Sequence, residues 1–196
     1  MRVAFGLRAH SGWAALVVVG ERHADYIVVD RRRIELVEEV WAKQPYHAAQ
    51  RLEPEPARHL VSRGIEAARR LALQELRTAV KRERARKNEV AACAVLVANV
   101  MPDWSVEEIL AVHFRMHKAE GALFRDALAF AANACGLRLV AIPEKLLAMR
   151  VEATRSTGVT RRVPKNATAL EKPVGPPWGK DQKDAGLAAV LALQED

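Results

Sequence analysis

The sequence predicts one α/β domain spanning residues 1–196, with a mixed five-stranded sheet flanked by helices. Three observations carry that expectation. Two runs rich in β-formers, 3–7 and 13–19, flank the short polar turn His10-Ser11-Gly12, the pattern of a hairpin. A later run at 89–99, Glu-Val-Ala-Ala-Cys-Ala-Val-Leu-Val-Ala-Asn, is continuously apolar in its middle, as in a strand buried on both faces. Long stretches of three/four-spaced apolar residues separate the later β runs, so three antiparallel strands feed a βαβ alternation.

The remaining elements follow in order. A third strand is expected over 26–37, bent or interrupted at Arg31-Arg32-Arg33. Charges of this kind suit an edge strand, where they block sheet-to-sheet pairing, better than they suit a nucleic-acid contact. Residues 41–56, with Pro45, Pro54 and Pro56, read as a connector. Val61, Ile65, Ala68, Ala72, Leu76, Ala79 and Val80 then mark a helix over 57–87, about 45 Å long at about 1.5 Å per residue. Ser105 and Glu108 form a capping box that opens a helix running to about residue 134, with Gly136 as its C-cap. A strand over 137–142 ends at Pro143, and a helix covers 143–152. The polar, basic stretch 154–172 reads as mobile, and an apolar helix follows it.

Half of the 196 residues are apolar, enough for a sizeable core, and the 5% aromatic content leaves that core to Ala, Val and Leu. The net charge of +7, carried mostly by arginine, suits an anionic partner such as DNA or RNA. Arg69, Arg70, Arg77, Lys81 and Arg84 crowd the polar face and end of the long helix, which makes them the candidate phosphate-backbone stripe. The plainer alternative is a solvated helix face with cations near its C-terminus. Cys93 and Cys135 lie in Ala/Val-rich segments without metal-ligand spacing, so they read as buried free thiols. The chain opens directly on a strand pattern with no signal-peptide signature, and no apolar stretch reaches the ~20 residues that span a bilayer. A cytoplasmic protein without membrane contact is expected.

The segment Pro176-Pro177-Trp178-Gly179-Lys180-Asp181-Gln182-Lys183-Asp184 delivers two carboxylates onto the first turn of the last helix. Asp181 and Asp184, three apart, share one face there, and the helix dipole favours acids at that end. Lys180 and Lys183 stand on the same turn as candidates for holding a phosphate. Trp178 reads as a plug into the core rather than a stacking platform for a base.

Four segments, in order, resemble the RuvC-type Holliday-junction resolvases of the ribonuclease H-like superfamily. Phe5-Gly6-Leu7-Arg8-Ala9-His10-Ser11-Gly12 resembles the first-strand motif Gly-Ile-Asp-Pro-Gly-Ser. Ala119-Glu120-Gly121-Ala122-Leu123 resembles the helix that carries Ala-Arg-Gly-Ala. The stretch from Cys135 to Pro143 resembles the following Gly-Leu-Pro-Val strand, and 181–193 resembles the closing helix with its Asp-Ala-Ala-Asp-Ala-Leu-Ala pattern. The resemblance implies a two-metal nuclease site holding Mg²⁺ or Mn²⁺. This chain departs from it: the first-strand acid falls at Arg8 and the acid closing the buried strand falls at Asn99. Only Asp181 and Asp184 remain. An arginine in a ligand position repels Mg²⁺ and substitutes part of its charge, so the expectation is a polar pocket of Arg8, His10, Asn99 and Asp184 in place of the metal site.

Two other groups compete as sites. His113, His117 and Glu120 stand at i, i+4 and i+7 of one helix and form a single surface stripe. Imidazoles at that spacing with a carboxylate suit Zn²⁺, although a polar stripe with Glu120 paired to Lys118, Arg125 or a histidine is the commoner outcome. If this stripe reaches the sheet's carboxyl edge it joins Arg8 and Asp184 in one pocket. His10 reads as a turn histidine, since adjacent Ser11 is poorly placed as its nucleophile. Gln44-Pro45-Tyr46-His47 is a compact turn without an assigned role. The leading functional expectation is a RuvC-like protein that binds structured nucleic acid with a lost or altered nuclease site. Its rival is a nuclease or phosphoesterase with a rebuilt site of His113, His117, Glu120 and the C-terminal acids around one metal. A third reading is an interaction protein, in which the long helix docks a partner or a second copy in a homodimer.

Overall fold

Residue alternation along the first strand sets the architecture. In β1 (Arg2–His10), Val3, Phe5, Leu7 and Ala9 are buried in one core, while Ala4, Gly6, Arg8 and His10 point to the opposite face. β2 (Trp13–Arg22) returns antiparallel through a tight turn in which Gly12 takes a φ of +85°, a conformation glycine adopts without a Cβ penalty. β3 (Asp25–Glu35) pairs antiparallel with β2. β4 (Glu89–Val97) and β5 (Arg138–Pro143) run parallel to β1, which gives a five-stranded sheet of order β3-β2-β1-β4-β5. The computed structural model describes residues 1–23, 25–98, 100–156, 170 and 178–195.

Helices cover both faces. α1 (Pro45–Ala49), α2 (Pro54–Ala85), α3 (Val106–Leu110) and α4 (His113–Ala134) lie on the side of Phe5 and Leu7, where Leu16, Leu76, Met116, Phe124 and Leu128 complete the core. α5 (Leu147–Ser156) and α6 (Lys180–Gln194) cover the other side, against Ala4, Val17, Val19 and Ile142. The small residues of α6 let it approach the sheet at backbone distance. A Cβ built on Gly6 would overlap the Ala185 carbonyl oxygen and lie 2.7 Å from its carbon. Trp178 is buried beside this helix, as a core plug. Among the described residues no helix is long and apolar enough to cross a membrane.

Four expectations change in detail. The third strand is not interrupted at its arginines. The irregularity falls one step earlier, at a bulge where Val18 pairs with Asp30 and Val19 with Val28. The arginines are accommodated on the edge strand by local partners: Arg32 with Asp30 at 2.6 Å, Arg33 with Glu35 at 2.5 Å and over Trp13, and Arg31 over Trp178. The expected connector contains α1, because Pro45 opens a turn whose Pro45, Tyr46 and Ala49 are all buried. The helix expected from Ser105 breaks at Val112 into α3 and α4, although no glycine or proline marks the break. Arg115 stabilises it by donating to the Glu108 carbonyl at 2.9 Å, one of the acceptors left open at the end of α3. The helix expected over 143–152 begins as a 3₁₀ turn at Glu144–Leu146 and continues as α5 to Ser156. Gly136, with φ +68°, closes α4 as expected: Leu137 N–H bonds the Ala132 carbonyl and Gly136 N–H that of Asn133. Asn99 and most of the 154–172 stretch lie outside the described residues.

Candidate functional site

Strand parity places Arg8 and His10 on the face covered by α6, at the carboxyl end of β1. The opening of α6 brings Asp181, in its first turn, and Asp184, just beyond it, to the same place, and Glu144 follows directly after β5. The Arg8 guanidinium stands among all three acids. It donates to Asp184, lies 3.2 Å from Asp181 through Nε, and lies 3.7 Å from Glu144 through Nη2. The Arg8 side chain is only 15% exposed, so these charges meet in a partly dry setting. Each acid has a further partner: Lys180 on Asp184, Arg125 on Glu144 at 2.9 Å, and His10 Nε2 at 3.0 Å from Asp181. The His10 ring stacks on Trp13 with centroids 4.4 Å apart, and its Nε2 approaches Asp181 outside hydrogen-bond alignment.

A second cluster forms on the other face of the sheet. His113 and His117 stand one turn apart on α4 with their Nε2 atoms 2.9 Å apart. His47, carried by α1, joins them with ring centroids 5.2 Å from His113 and 4.8 Å from His117. Glu120 is not a third member of the surface stripe. It is buried, and accepts from His47 twice, from the backbone N–H at 3.1 Å and from Nδ1 at 2.8 Å. Neighbouring Tyr46 has its hydroxyl pKa raised, first by burial and then by the charges of Glu120 and Asp126. The Asp126 carboxyl is also pushed up by burial, with Arg69 and Arg125 pulling the other way.

The two clusters stand apart instead of sharing one pocket. A cavity of about 380 Å³ lies between them, with His117 and Lys118 on one wall and Arg125 and Glu144 on another. It opens beside the carboxyl ends of β4 and β5, where ligands of open α/β sheets bind.

No protein-family model matches the chain, and no curated protein matches it in sequence. Solved structures do. The structure of Thermus thermophilus RuvC in complex with a Holliday junction substrate superposes with a TM-score of 0.50 at 14% identity, over 97% of this chain and 92% of that one. A second structure of Thermus thermophilus RuvC aligns at a TM-score of 0.48 and 14% identity, over 96% and 92%. The fold is RuvC-like and ribonuclease H-like.

The divalent cations implied by the sequence resemblance would meet a guanidinium at Arg8. A metal pair requires carboxylate oxygens with open lone pairs around a shared space. Here that space holds a guanidinium already bonded or ion-paired to Asp181, Asp184 and Glu144. Among the described residues, the one set offering three metal-ligand atoms within 4.8 Å of one another is His47, His113 and His117.

The basic residues expected on the long helix divide between a groove and ion pairs. Arg69, Arg77 and Lys81 line an open depression of about 710 Å³ on α2, with Phe130 of α4 at its edge and Arg69 lying 5.3 Å from that ring. Arg77, Lys81 and Arg84 continue into a second depression that reaches Cys135. Arg70 shares the first depression while pairing with Glu38 at 2.7 Å. Lys180 and Lys183 stand on the far side of the sheet, on α6, with Lys180 bound to Asp184. Sequence reading missed two participants. Glu144 follows a strand end that carried no acid pattern, and His47 lies 73 residues from the Glu120 that holds it. The one available signal for His47 was a histidine in a proline-opened turn.

Proposed function

We propose that this RuvC-like protein binds structured nucleic acid through the α2–α4 groove, and that Arg8 replaces divalent cations at the old nuclease position. The observation that carries this reading is the Arg8 guanidinium among Asp181, Asp184 and Glu144. Its fixed charge gives the acids the counter-ion they need, and it cannot be released to admit a metal or polarise an attacking water. The groove supports the binding half of the proposal. Arg69, Arg77, Lys81 and Arg84 are spaced along one helix, the arrangement that follows a phosphate backbone. The similar Thermus thermophilus structure holds a Holliday junction, so branched DNA is the first ligand to try.

Filter binding with a four-way junction, duplex RNA and single strands, each over a salt series, tests the reading. Binding should weaken steeply with salt, because each neutralised phosphate releases counterions with a slope of about −0.9 per contact on duplex DNA. The double variant Arg77→Glu/Lys81→Glu should lose at least tenfold in affinity. Weak, salt-independent binding that the double variant leaves unchanged would overturn the binding half. Mg²⁺- or Mn²⁺-dependent cleavage abolished by Asp184→Asn would overturn the other half.

A further inference from the structure

The histidines of α1 and α4 have a geometry that the nucleic-acid reading does not use. We propose that His47, His113 and His117 bind a single Zn²⁺ ion, with Glu120 as the carboxylate that orients His47. The ligand atoms of the three histidines all lie within 4.8 Å of one another, and the closest pair is 2.9 Å apart. Zn–N bonds of about 2.0–2.1 Å in a tetrahedron place ligands about 3.3 Å apart. That spacing falls inside the observed range, so modest ring rotations close the site.

Glu120 distinguishes this cluster from three histidines that happen to meet. A carboxylate accepts and does not donate when ionised, so the 2.8 Å contact puts the His47 proton on Nδ1 and leaves the Nε2 lone pair for a metal. The same carboxylate holds the His47 backbone N–H, which fixes the residue as well as its ring. Glu120 is only 4% exposed, so its charge acts at close range on that imidazole. A carboxylate behind a ligating histidine is the usual supporting partner of zinc sites.

The scaffold is rigid on both sides. α1 is seated by Pro45 against Gly64 of α2, where an added Cβ would come within 2.8 Å of the Pro45 ring. His113 and His117 occupy successive turns of α4, which buries Met116, Ala119 and Leu123 along its inner face. Imidazole suits Zn²⁺ better than Mg²⁺ or Ca²⁺, which take oxygen ligands. Three protein ligands leave a fourth position, and His113 and His117 are exposed, so that position is open to solvent. His117 also lines the cavity that ends at Arg125 and Glu144, which gives a small molecule on the metal a bounded neighbour space.

The test uses the full chain, stripped with a chelator and titrated with Zn²⁺ by calorimetry, alongside thermal unfolding with and without Zn²⁺. One equivalent should bind and raise the melting temperature. The His113→Ala/His117→Ala variant, altered at exposed positions, should fold normally and bind at least about 100-fold more weakly. His47→Ala should lose a comparable amount, and Glu120→Gln about 10- to 100-fold. Titration with Co²⁺ gives a second readout, since the visible spectrum reports tetrahedral coordination that depends on the three histidines. Equal Zn²⁺ affinity in wild type and the double-histidine variant would overturn the proposal, as would an unchanged melting temperature with no stoichiometric binding. Neither outcome bears on nucleic-acid affinity, so the two readings fail separately.

Discussion

Replacing Arg8 with methionine removes a cation and its donors while keeping much of the side chain's volume. The cost follows from what the guanidinium holds. Leaving one member of a fully buried pair unpartnered costs about 3–5 kcal/mol, and an exposed pair contributes about 0–1 kcal/mol. Arg8 is 15% exposed and its acids are 19 to 30% exposed, which places the interaction between these limits. Each acid also keeps a second basic neighbour in Lys180, Arg125 or His10. Arg8→Met should therefore destabilise by about 2 kcal/mol, read as a lower urea midpoint with an unchanged slope. The variant should then respond to divalent cations more strongly than wild type does. With the guanidinium gone, the acids lose their shared counter-ion, and Mg²⁺ or Mn²⁺ bound there at 100 times its dissociation constant would restore about 2.7 kcal/mol. Two results would refute the reasoning: wild type stabilised by the same cations to the same degree, or a variant cost below about 0.5 kcal/mol, the worth of an exposed pair.

Three further expectations test the packing and electrostatics. Gly6→Ala drives a methyl group into the Ala185 carbonyl, so α6 must shift. Urea unfolding should show a loss of about 3 kcal/mol or more, while Gly186→Ala, whose Cβ would have contacts of 3.5 Å and beyond, should be neutral or gain about 0.5–1 kcal/mol. Equal effects at the two sites would argue against the close approach of α6. Asp126 is exposed as a residue, but partial desolvation of its carboxyl raises its pKa in the folded state, so the folded protein binds this proton more tightly than the unfolded chain. Asp126 thus lowers stability as pH rises from its unfolded value through its folded one, and Asp126→Asn should gain stability at pH 7 and lose the advantage in acid. A gain that persists unchanged at pH 3 would contradict this sign. Burial also raises the Cys93 and Cys135 thiol pKa values, against the pull of Arg77 and Arg84 at Cys135. Both should resist iodoacetamide at pH 7.5 until the protein is unfolded, and rapid labelling of native Cys135 would show that its thiolate is more accessible than its surroundings imply.

Local chemistry made much of the fold legible. The polar turn between two β runs, the capping box at Ser105 and the glycine after α4 are short-range signals, and each element they mark is present. α2 was legible for the same reason, since its apolar residues recur every three or four positions along one unbroken helix. The break at Val112 was not, because neither glycine nor proline marks it and its compensating bond comes from Arg115. α1 was hidden by the prolines of its connector, which signal a loop in sequence, whereas Pro45 opens a helix once it is buried on α2.

The sites divide along the same line. Helix spacing was enough to place His113 and His117 one turn apart, because the 3.6-residue period is a property of the chain itself. The grouping of Arg8 with Asp184 came from the resemblance to RuvC-type resolvases, since strand parity alone does not say which face the last helix covers. Tertiary packing alone decided that Glu144 completes the arginine cluster and that Glu120 turns inward. It also decided that His47 arrives from a distant turn to face His113 and His117. Those meetings depend on where β5 ends and on how α1 seats against α2, and contacts between residues far apart in sequence leave no period to read.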